Sequence, residues 1–197
     1  MSNNNFNAKK TDKQSFQPEI KLSLDCLHTG GILLFPTDYT WAMGCDATNA
    51  KALQRMLETS KMSKVKLVML VDSFAKMEGF VNNLPSIAWD LNEVTEDPLN
   101  FRFDGVKFLD DVVLGSERTA NFRISKEDFS KELCMRFKKP IAIFDLALNN
   151  IKVRNLADID LETRSKVDYC VKYFEAKCRN KISGIKLTPN NVFEIIK

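Results

Sequence analysis

The sequence contains little glycine, a single histidine and no long apolar segment, and each shortage excludes a class of site or protein. Its seven glycines nowhere form a Walker loop or a dinucleotide-binding fingerprint, so any nucleotide site must be built differently. His28 is the one histidine, which leaves histidine-dependent nucleophilic catalysis a single candidate residue. No apolar run approaches the ~20 residues of a membrane helix, and the polar start lacks a signal peptide's apolar core. We therefore expect a soluble, cytoplasmic protein without a membrane partner.

Cysteine usage and charge narrow the range of partners. The five cysteines are odd in number and lie at no zinc-type or redox-type spacing, so we expect reduced thiols in the core. The net charge of +3 is mild. It is compatible with phosphate-bearing partners, but a dedicated nucleic-acid binder would also need a clustered basic face.

The length and the order of patterns predict one domain. A polar segment over residues 1–18, rich in Asn, Lys and Gln, is expected to be a flexible lead, and residues 19–197 are expected to fold. Apolar strands alternate with amphipathic helices along this part of the chain. We predict an α+β fold in which helices flank a single twisted, mixed β-sheet.

Local signals place the helices of the first half. Leu22, Leu24 and Leu27 predict a short helix that ends near Gly30. Thr48 or Asn49 is expected to cap the next helix, and Asp72 or Ser73 the one after it. Pro85 opens another, with the apolar positions Ile87, Ala88, Leu91 and Val94 expected to face inward.

The second half reads as strands around one capped helix, followed by a long helix and a hairpin. Alternating residues predict strands over 99–103 and 120–124, and Ile141 to Leu146 is a continuous apolar strand. Ser125 and Asp128 resemble a capping box for a helix that Pro140 stops. A linker over 149–160 precedes the predicted long amphipathic helix, and residues 184–197 predict a terminal hairpin.

The outside of that long helix is expected to be basic. Two interpretations remain open: a solvated face, or a surface that binds RNA phosphates. Its basic residues are Arg164, Lys166, Lys172, Lys177, Arg179 and Lys181.

The stretch from Phe35 to Ala47 carries the most specific signal. An apolar strand passes through Pro-Thr-Asp and ends at Gly-Cys-Asp-Ala, so polar side chains lie at the end of a buried strand. Ligands tend to bind at such strand ends. By itself the pattern also fits an ordinary strand-turn-strand. The order of residues resembles the YrdC/YciO family, whose members make threonylcarbamoyl-adenylate for tRNA modification.

Further elements extend the resemblance from about Leu22 to the C-terminus. Lys61 and Lys64 lie where the family has a Lys and an Arg that hold ATP phosphates, although a solvated loop is an equally open interpretation. The sequence around Asn100 is similar to the family's Pro-Gly-Pro-Leu-Thr element. Arg123 matches an Arg that reaches into the family's cleft, and the alternative is a paired surface residue. Ser183 is similar to a Ser in the family's closing strand.

Two departures bear on function. The family's Thr-Ser-Ala-Asn element is replaced, since Pro140-Ile141 runs into Ile-Phe-Asp-Leu-Ala. Tyr39 stands where the family has a small hydroxyl residue, so its ring either intrudes on the substrate volume or supplies a new hydrogen bond.

The resemblance implies two alternatives. In the first, the protein converts ATP, bicarbonate and threonine to threonylcarbamoyl-AMP and pyrophosphate, and the resemblance implies that Mg²⁺ accompanies the ATP. In that case catalysis falls to Lys61, Lys64 and Arg123, and substrate binding to Thr37, Asp38, Tyr39, Asn100 and Ser183. In the second, the chemistry is lost, leaving a module that binds a nucleotide, double-stranded RNA or a partner protein.

Overall fold

A mixed β-sheet organises the chain in the computed structural model, which describes residues 16–60, 67–114, 116–148, 151–172, 178–179, 181–188 and 193–196. Within these ranges the helices are α1 Gln17–His28, α2 Ala50–Ser60, α3 Phe74–Glu78, α4 Ile87–Val94, α5 Asp111–Leu114, α6 Asp128–Phe137 and α7 Leu161–Ser165. A 3₁₀ turn spans Leu156–Asp158.

The strands of the first half are β1 Leu33–Pro36, β2 Trp41–Asp46, β3 Val68–Val71, β4 Leu99–Phe103 and β5 Ala120–Ile124. Those of the second half are β6 Ile141–Asp145, β7 Ala147–Leu148, β8 Ile151–Lys152, β9 Tyr169–Cys170, β10 Ser183–Leu187 and β11 Phe193–Ile196. The main sheet has the order β11-β10-β4-β5-β3-β6-β2-β1-β9, and β7 pairs with β8 separately. Both parallel and antiparallel pairs occur, which confirms the predicted α+β fold with a mixed sheet.

Alternation along the central strands fills a core on each face of the sheet. On β3, Met69 and Val71 pack with the buried side of α2, whereas Val68 and Leu70 pack with α1 and α6. Successive side chains of a strand point to opposite faces, so a strand covered on both faces must be apolar throughout. This explains why the central strands read as continuous apolar runs.

Several local predictions are confirmed by hydrogen bonds at helix ends, by the backbone angle at Gly30 and by the pairing of the last two strands. The Asn49 side chain accepts from the backbone N–H of Ala52 at 3.1 Å, and Ser73 caps α3. Gly30, just after α1, has a φ of +75°, which favours glycine. The terminal hairpin is confirmed by the antiparallel β10–β11 pair, although its predicted turn lies outside the described residues.

Two predictions about side chains are wrong. Val94 was expected to face inward, but it is 80% exposed because it ends the last turn of α4. The capping box is also wrong, because Glu127, not Ser125, caps α6 and accepts from Ser130 N–H at 2.8 Å. Ser125 bonds instead to the Ser130 hydroxyl.

The predicted long basic helix is wrong over the part that is described. α7 ends at Ser165, and β9 then runs parallel to β1, with Val171 N–H donating to the carbonyl of Leu34 at 2.9 Å. Strand β1 needs backbone partners on its second edge, and β9 supplies them. Those of the basic residues that the structure describes therefore do not share one helical face: the Arg164 guanidinium donates to carbonyls of the preceding turn, and Lys166 pairs with Glu162. RNA binding by this segment stays a prediction.

Residues 1–15, most of the predicted flexible lead, lie outside the described residues. Phe16 is buried and α1 begins at Gln17. Within the described ranges, no helix is both long and apolar enough to cross a membrane.

Candidate functional site

The turn between β1 and β2 is held by a dense set of hydrogen bonds. The Thr37 hydroxyl donates to the carbonyl of Thr40 at 2.7 Å, within the turn itself. The Thr40 hydroxyl lies 2.9 Å from the carbonyl of Leu146 and 2.8 Å from that of Val153. These bonds fix the backbone on both sides of Asp38, which is buried with its side chain directed inward.

Asp38 forms part of a charged cluster with Arg123 and Asp145, hereafter the carboxylate–arginine cluster. The Arg123 Nη2 lies 2.8 and 2.9 Å from the two carboxylate oxygens of Asp145, and its Nη1 lies 3.4 Å from Asp38 Oδ1. Strand β3 lies between β5 and β6 in the sheet, so the long Arg123 side chain spans it. The exposed fraction is 0% for the Arg123 side chain, 2% for Asp38 and 22% for Asp145. The cluster therefore reaches the surface through Asp145.

Electrostatics keep the arginine charged. Burial lowers the pKa of Arg123, whereas the neighbouring carboxylates of Asp145 and Asp38 raise it. The effect of the carboxylates is the larger, so the pKa of Arg123 lies above its usual value. Burial raises the pKa of Asp38, while Arg123 and the backbone N–H of Lys126, 3.2 Å from Asp38 Oδ2, oppose that shift.

Two buried polar atoms beside the cluster have no hydrogen-bond partner among the described residues. They are the Arg123 Nε and the Asn100 Oδ1. Asn100 on β4 is the register partner of Arg123 on β5, and directly opposite residues share one face of a sheet. The donor and the acceptor without partners therefore belong to side chains on the same face of two neighbouring strands. Buried polar atoms without partners are uncommon, and one explanation for them is a ligand.

The remaining predicted site residues lie at varying distances from this arrangement. Tyr39 is half-buried next to the cluster: burial raises the pKa of its hydroxyl and Asp145 adds to the shift. Ser183 begins β10, opposite Leu99, and is exposed. Lys61 and Lys64 lie outside the described residues, so their phosphate roles stay predictions.

Several charged side chains near the cluster were not among the predicted site residues. Asp145 is the first, although it lies in the stretch that replaces the family's Thr-Ser-Ala-Asn element. Lys152 Nζ lies 4.0 Å from the centre of the Tyr39 ring, a cation–π contact. Lys126 follows β5 by two residues and its ammonium donates to the carbonyl of Asn92 at 2.9 Å. Burial lowers the pKa of both lysines.

Sequence position gave little signal for Lys126 and Lys152. Lys126 stands between Ser125 and Asp128, the two residues of the predicted capping box, and Lys152 belongs to the predicted linker. The pairing of β7 with β8, which positions Lys152, rests on strands of two residues each, too short to show a period.

Together, the fold and the cluster define a class: a single α+β domain with a fixed, buried charged cluster beside a strand-turn-strand element. Comparison with known proteins identifies the family. The family model Sua5/YciO/YrdC, described as "Telomere recombination", matches residues 25–197. The chain belongs to this family.

Relatives with curated names are distant. The Threonylcarbamoyl-AMP synthase of Pseudoalteromonas translucida is 23% identical over 162 residues, covering 80% of this chain and 87% of the relative. Identity at this level agrees with the departures noted in the sequence.

Solved structures share the fold. E. coli YciO superposes with a TM-score of 0.76 at 17% identity, covering 92% of this chain and 89% of that one. P. abyssi Sua5, solved in complex with L-threonine, gives a TM-score of 0.73 at 19% identity over 85% of this chain. The present chain spans only about half of the Sua5 chain, 50% of its length.

Proposed function

We propose that the protein is a synthase of the threonylcarbamoyl-AMP type, which uses ATP, bicarbonate and L-threonine. In this reaction the threonine nitrogen bonds to the carbon of bicarbonate with loss of water. A carbamate oxygen then attacks the α-phosphorus of ATP, and pyrophosphate leaves. Family membership and relatives that carry this name support the proposal.

The observation that carries it is the pair of unpartnered polar atoms, Arg123 Nε and Asn100 Oδ1, beside a rigid charged cluster. Leaving a buried polar group unsatisfied costs about 1–3 kcal/mol, and a bound substrate with matching groups offsets that cost. The site is thus organised before a ligand arrives. Reactions carried by positioning and electrostatics depend on such preorganisation and need no covalent nucleophile.

The residues have separate roles in the proposal. Arg123 positions the carboxylates of Asp38 and Asp145 and offers its Nε to the substrate. Asn100 offers its amide oxygen. Lys61 and Lys64 supply the positive charge for the ATP phosphates, and Mg²⁺ accompanies the nucleotide.

A second candidate is a relative that binds the same ligands without turnover. Asp145 favours it, because this carboxylate engages Arg123 at 2.8 Å and reduces the positive charge that an ATP phosphate would meet. Tyr39, which is half-buried beside the cluster, also favours it, because its ring is larger than the small hydroxyl residue of the family.

One experiment separates the two. Pyrophosphate release is measured with ATP, Mg²⁺ and bicarbonate, with and without L-threonine, while calorimetry measures ATP and threonine binding. The test variants are Asp38→Asn and Lys61→Ala with Lys64→Ala. The matched control is Asp111→Asn, which removes an exposed carboxylate that pairs with Arg118.

The synthase proposal predicts pyrophosphate release that depends on threonine. Release should fall at least about 100-fold in the test variants, the size of the loss when one group that stabilises a transition state is removed. It should be unchanged in the control. Binding of both ligands without release would favour the second candidate. Absence of both binding and release would contradict both.

A further inference from the structure

The C-terminal end of α4 is anchored by a lysine from another part of the chain. Val94, the last residue of this helix, is 80% exposed, and Glu93 before it is also exposed, so apolar burial does not hold this end. The last carbonyls of a helix have no partner within the helix. Here the Lys126 ammonium donates to the carbonyl of Asn92 at 2.9 Å and also to that of Thr95. A cation at this end of a helix also suits the direction of the helix dipole.

The backbone of the same lysine contacts the carboxylate–arginine cluster. The Lys126 N–H lies 3.2 Å from Asp38 Oδ2, whereas Arg123 engages Asp38 Oδ1. Lys126 therefore joins two parts of the chain: the turn between β1 and β2 through its backbone, and the end of α4 through its side chain. In the sheet, β5, β3 and β6 separate β4 from β2, so the hydrogen bonds of the sheet do not join these parts directly.

The segment that Lys126 anchors leads directly into β4. This strand carries Asn100, whose buried Oδ1 has no hydrogen-bond partner among the described residues. Between Thr95 and the strand lies Pro98, which is buried and whose ring fixes one backbone angle. The connection is short and partly rigid, so a displacement of Thr95 is passed on to the start of β4. The position of Asn100 relative to Asp38 therefore depends on Lys126.

We propose that Lys126 is a positioning residue for the reaction, and that its side chain holds Asn100 in place relative to Asp38. The inference rests on the proposed function, in which Asn100 offers its amide oxygen to the substrate beside the cluster. It adds a residue that acts through the segment between α4 and β4 and not on the substrate itself.

A second cation reaches the same segment, but through an exposed contact. The Arg179 N–H donates to the carbonyl of Asp38 at 2.6 Å, and the Arg179 guanidinium lies 3.5 Å from Glu96. These two side chains are 51% and 87% exposed, and exposed ion pairs contribute little. Lys126 is half-buried, and its ammonium bonds to two backbone carbonyls. The link between the two parts of the site therefore depends mainly on Lys126.

Replacing Lys126 by methionine tests this role. Lys126→Met removes the ammonium but keeps the backbone N–H that donates to Asp38. The kcat of pyrophosphate release should fall at least about tenfold, because a misplacement of about 1 Å can cost about 100-fold in rate. The loss should be in kcat more than in KM, since a substrate can bind to one part of the site alone but reacts only when both parts are in place.

Two further variants serve as conservative replacement and control. Lys126→Arg keeps donors that reach the two carbonyls, so its kcat should stay closer to wild type than to Lys126→Met. Lys166→Met removes a lysine whose ammonium pairs with Glu162 on α7, and its kcat should equal that of wild type. If Lys126→Met does not fold, Lys126→Gln takes its place with the same expected loss, because the shorter side chain does not reach the carbonyls.

Rates are compared well below the melting temperature of each variant, so that all chains are folded. A purely structural role would lower the melting temperature of Lys126→Met and leave its kcat at the wild-type value, and that result would overturn the inference. A kcat of Lys126→Arg as low as that of Lys126→Met would overturn it as well.

Hydrogen exchange tests the link without any turnover. Peptides that cover residues 95–101 should lose protection in Lys126→Met and keep it in Lys166→Met, because protection reports local opening. Unchanged protection would overturn the inference. If the wild-type chain releases no pyrophosphate, the proposed function falls and hydrogen exchange decides on the link alone. If wild type and Lys126→Met are equally active, the inference falls and the proposed function stands.

Discussion

Replacing Arg123 by methionine should destabilise the protein more than any surface substitution of the same kind. Methionine keeps much of the side-chain volume but removes the charge between Asp38 and Asp145. Breaking a buried ion pair by removing one partner costs about 3–5 kcal/mol, because the other charge stays buried and uncompensated. A domain's whole stability is about 5–15 kcal/mol, so this loss is a large share of it.

The magnitude depends on Asp38, whose side chain is 2% exposed, more than on Asp145, which solvent reaches. Adding Asp38→Asn to Arg123→Met removes the stranded carboxylate, so the double variant should be more stable than Arg123→Met by at least about 1 kcal/mol. Arg136→Met is the matched control. Its partner Glu132 is 3.9 Å away on an exposed helix face, where an ion pair contributes about 0–1 kcal/mol.

The deficit should also depend on pH. Burial raises the pKa of Asp38 even with Arg123 present, and loss of the arginine removes the main opposing charge. A carboxyl whose pKa is raised by folding favours the folded state when protonated and loses that contribution as pH rises through the folded pKa. The cost of Arg123→Met should therefore be larger at pH 7 than at pH 5.

Denaturation with guanidinium chloride at pH 5 and pH 7 measures these differences in the free energy of unfolding. A cost of less than about 1 kcal/mol for Arg123→Met, which is the range of an exposed pair, would refute this prediction. A strictly additive double variant, or a cost that does not change with pH, would also contradict it.

Three further predictions concern the core, the cap of α6 and the thiols. Gly44→Ala places a Cβ 2.9 Å from the Phe35 ring, so denaturation should show a loss of about 1–3 kcal/mol; a neutral result would contradict this packing. Burial raises the pKa of Glu127 above its usual 4.5. Wild type should therefore lose stability relative to Glu127→Gln as the pH rises from 4.5 through the raised pKa, which denaturation midpoints measure. The opposite trend would be inconsistent with a buried carboxyl. Burial also raises the pKa of Cys45 to about 12, and mass spectrometry of thiol labelling should find Cys170 and Cys178 modified first; early labelling of Cys45 would exclude the core position.

Much of the fold was predictable because its signals are local. Continuous apolar runs on β1, β3 and β6 and the alternation on β4 follow directly from burial on two faces or one. The caps at Asn49 and Ser73 depend on side chains within three residues of the bond they make. Such features are encoded where they occur.

The failures depend on distant partners. The segment after α7 has helical spacing, yet it becomes β9 because β1, more than 130 residues earlier in the sequence, has a free edge. The cap of α6 is a local failure: Glu127, two residues after Ser125, accepts from the Ser130 N–H with its longer side chain and caps the helix there.

The site was predicted only in part, because its contacts join residues from separate strands. Asp38, Arg123 and Asn100 were identified by resemblance, and the structure brings them together. Asp145 was seen only as the loss of a family element. Its role depends on a contact of its carboxylate with Arg123, across the intervening strand β3, that no local pattern encodes.

We propose above all that this chain makes threonylcarbamoyl-AMP. The most direct test is mass spectrometry of a reaction containing ATP, Mg²⁺, L-threonine and ¹³C-labelled bicarbonate. We predict an adenylate that carries both threonine and the label, formed by the wild-type chain and lost in Asp38→Asn. Bound ATP and threonine that are recovered unchanged, with no labelled adenylate, would contradict it.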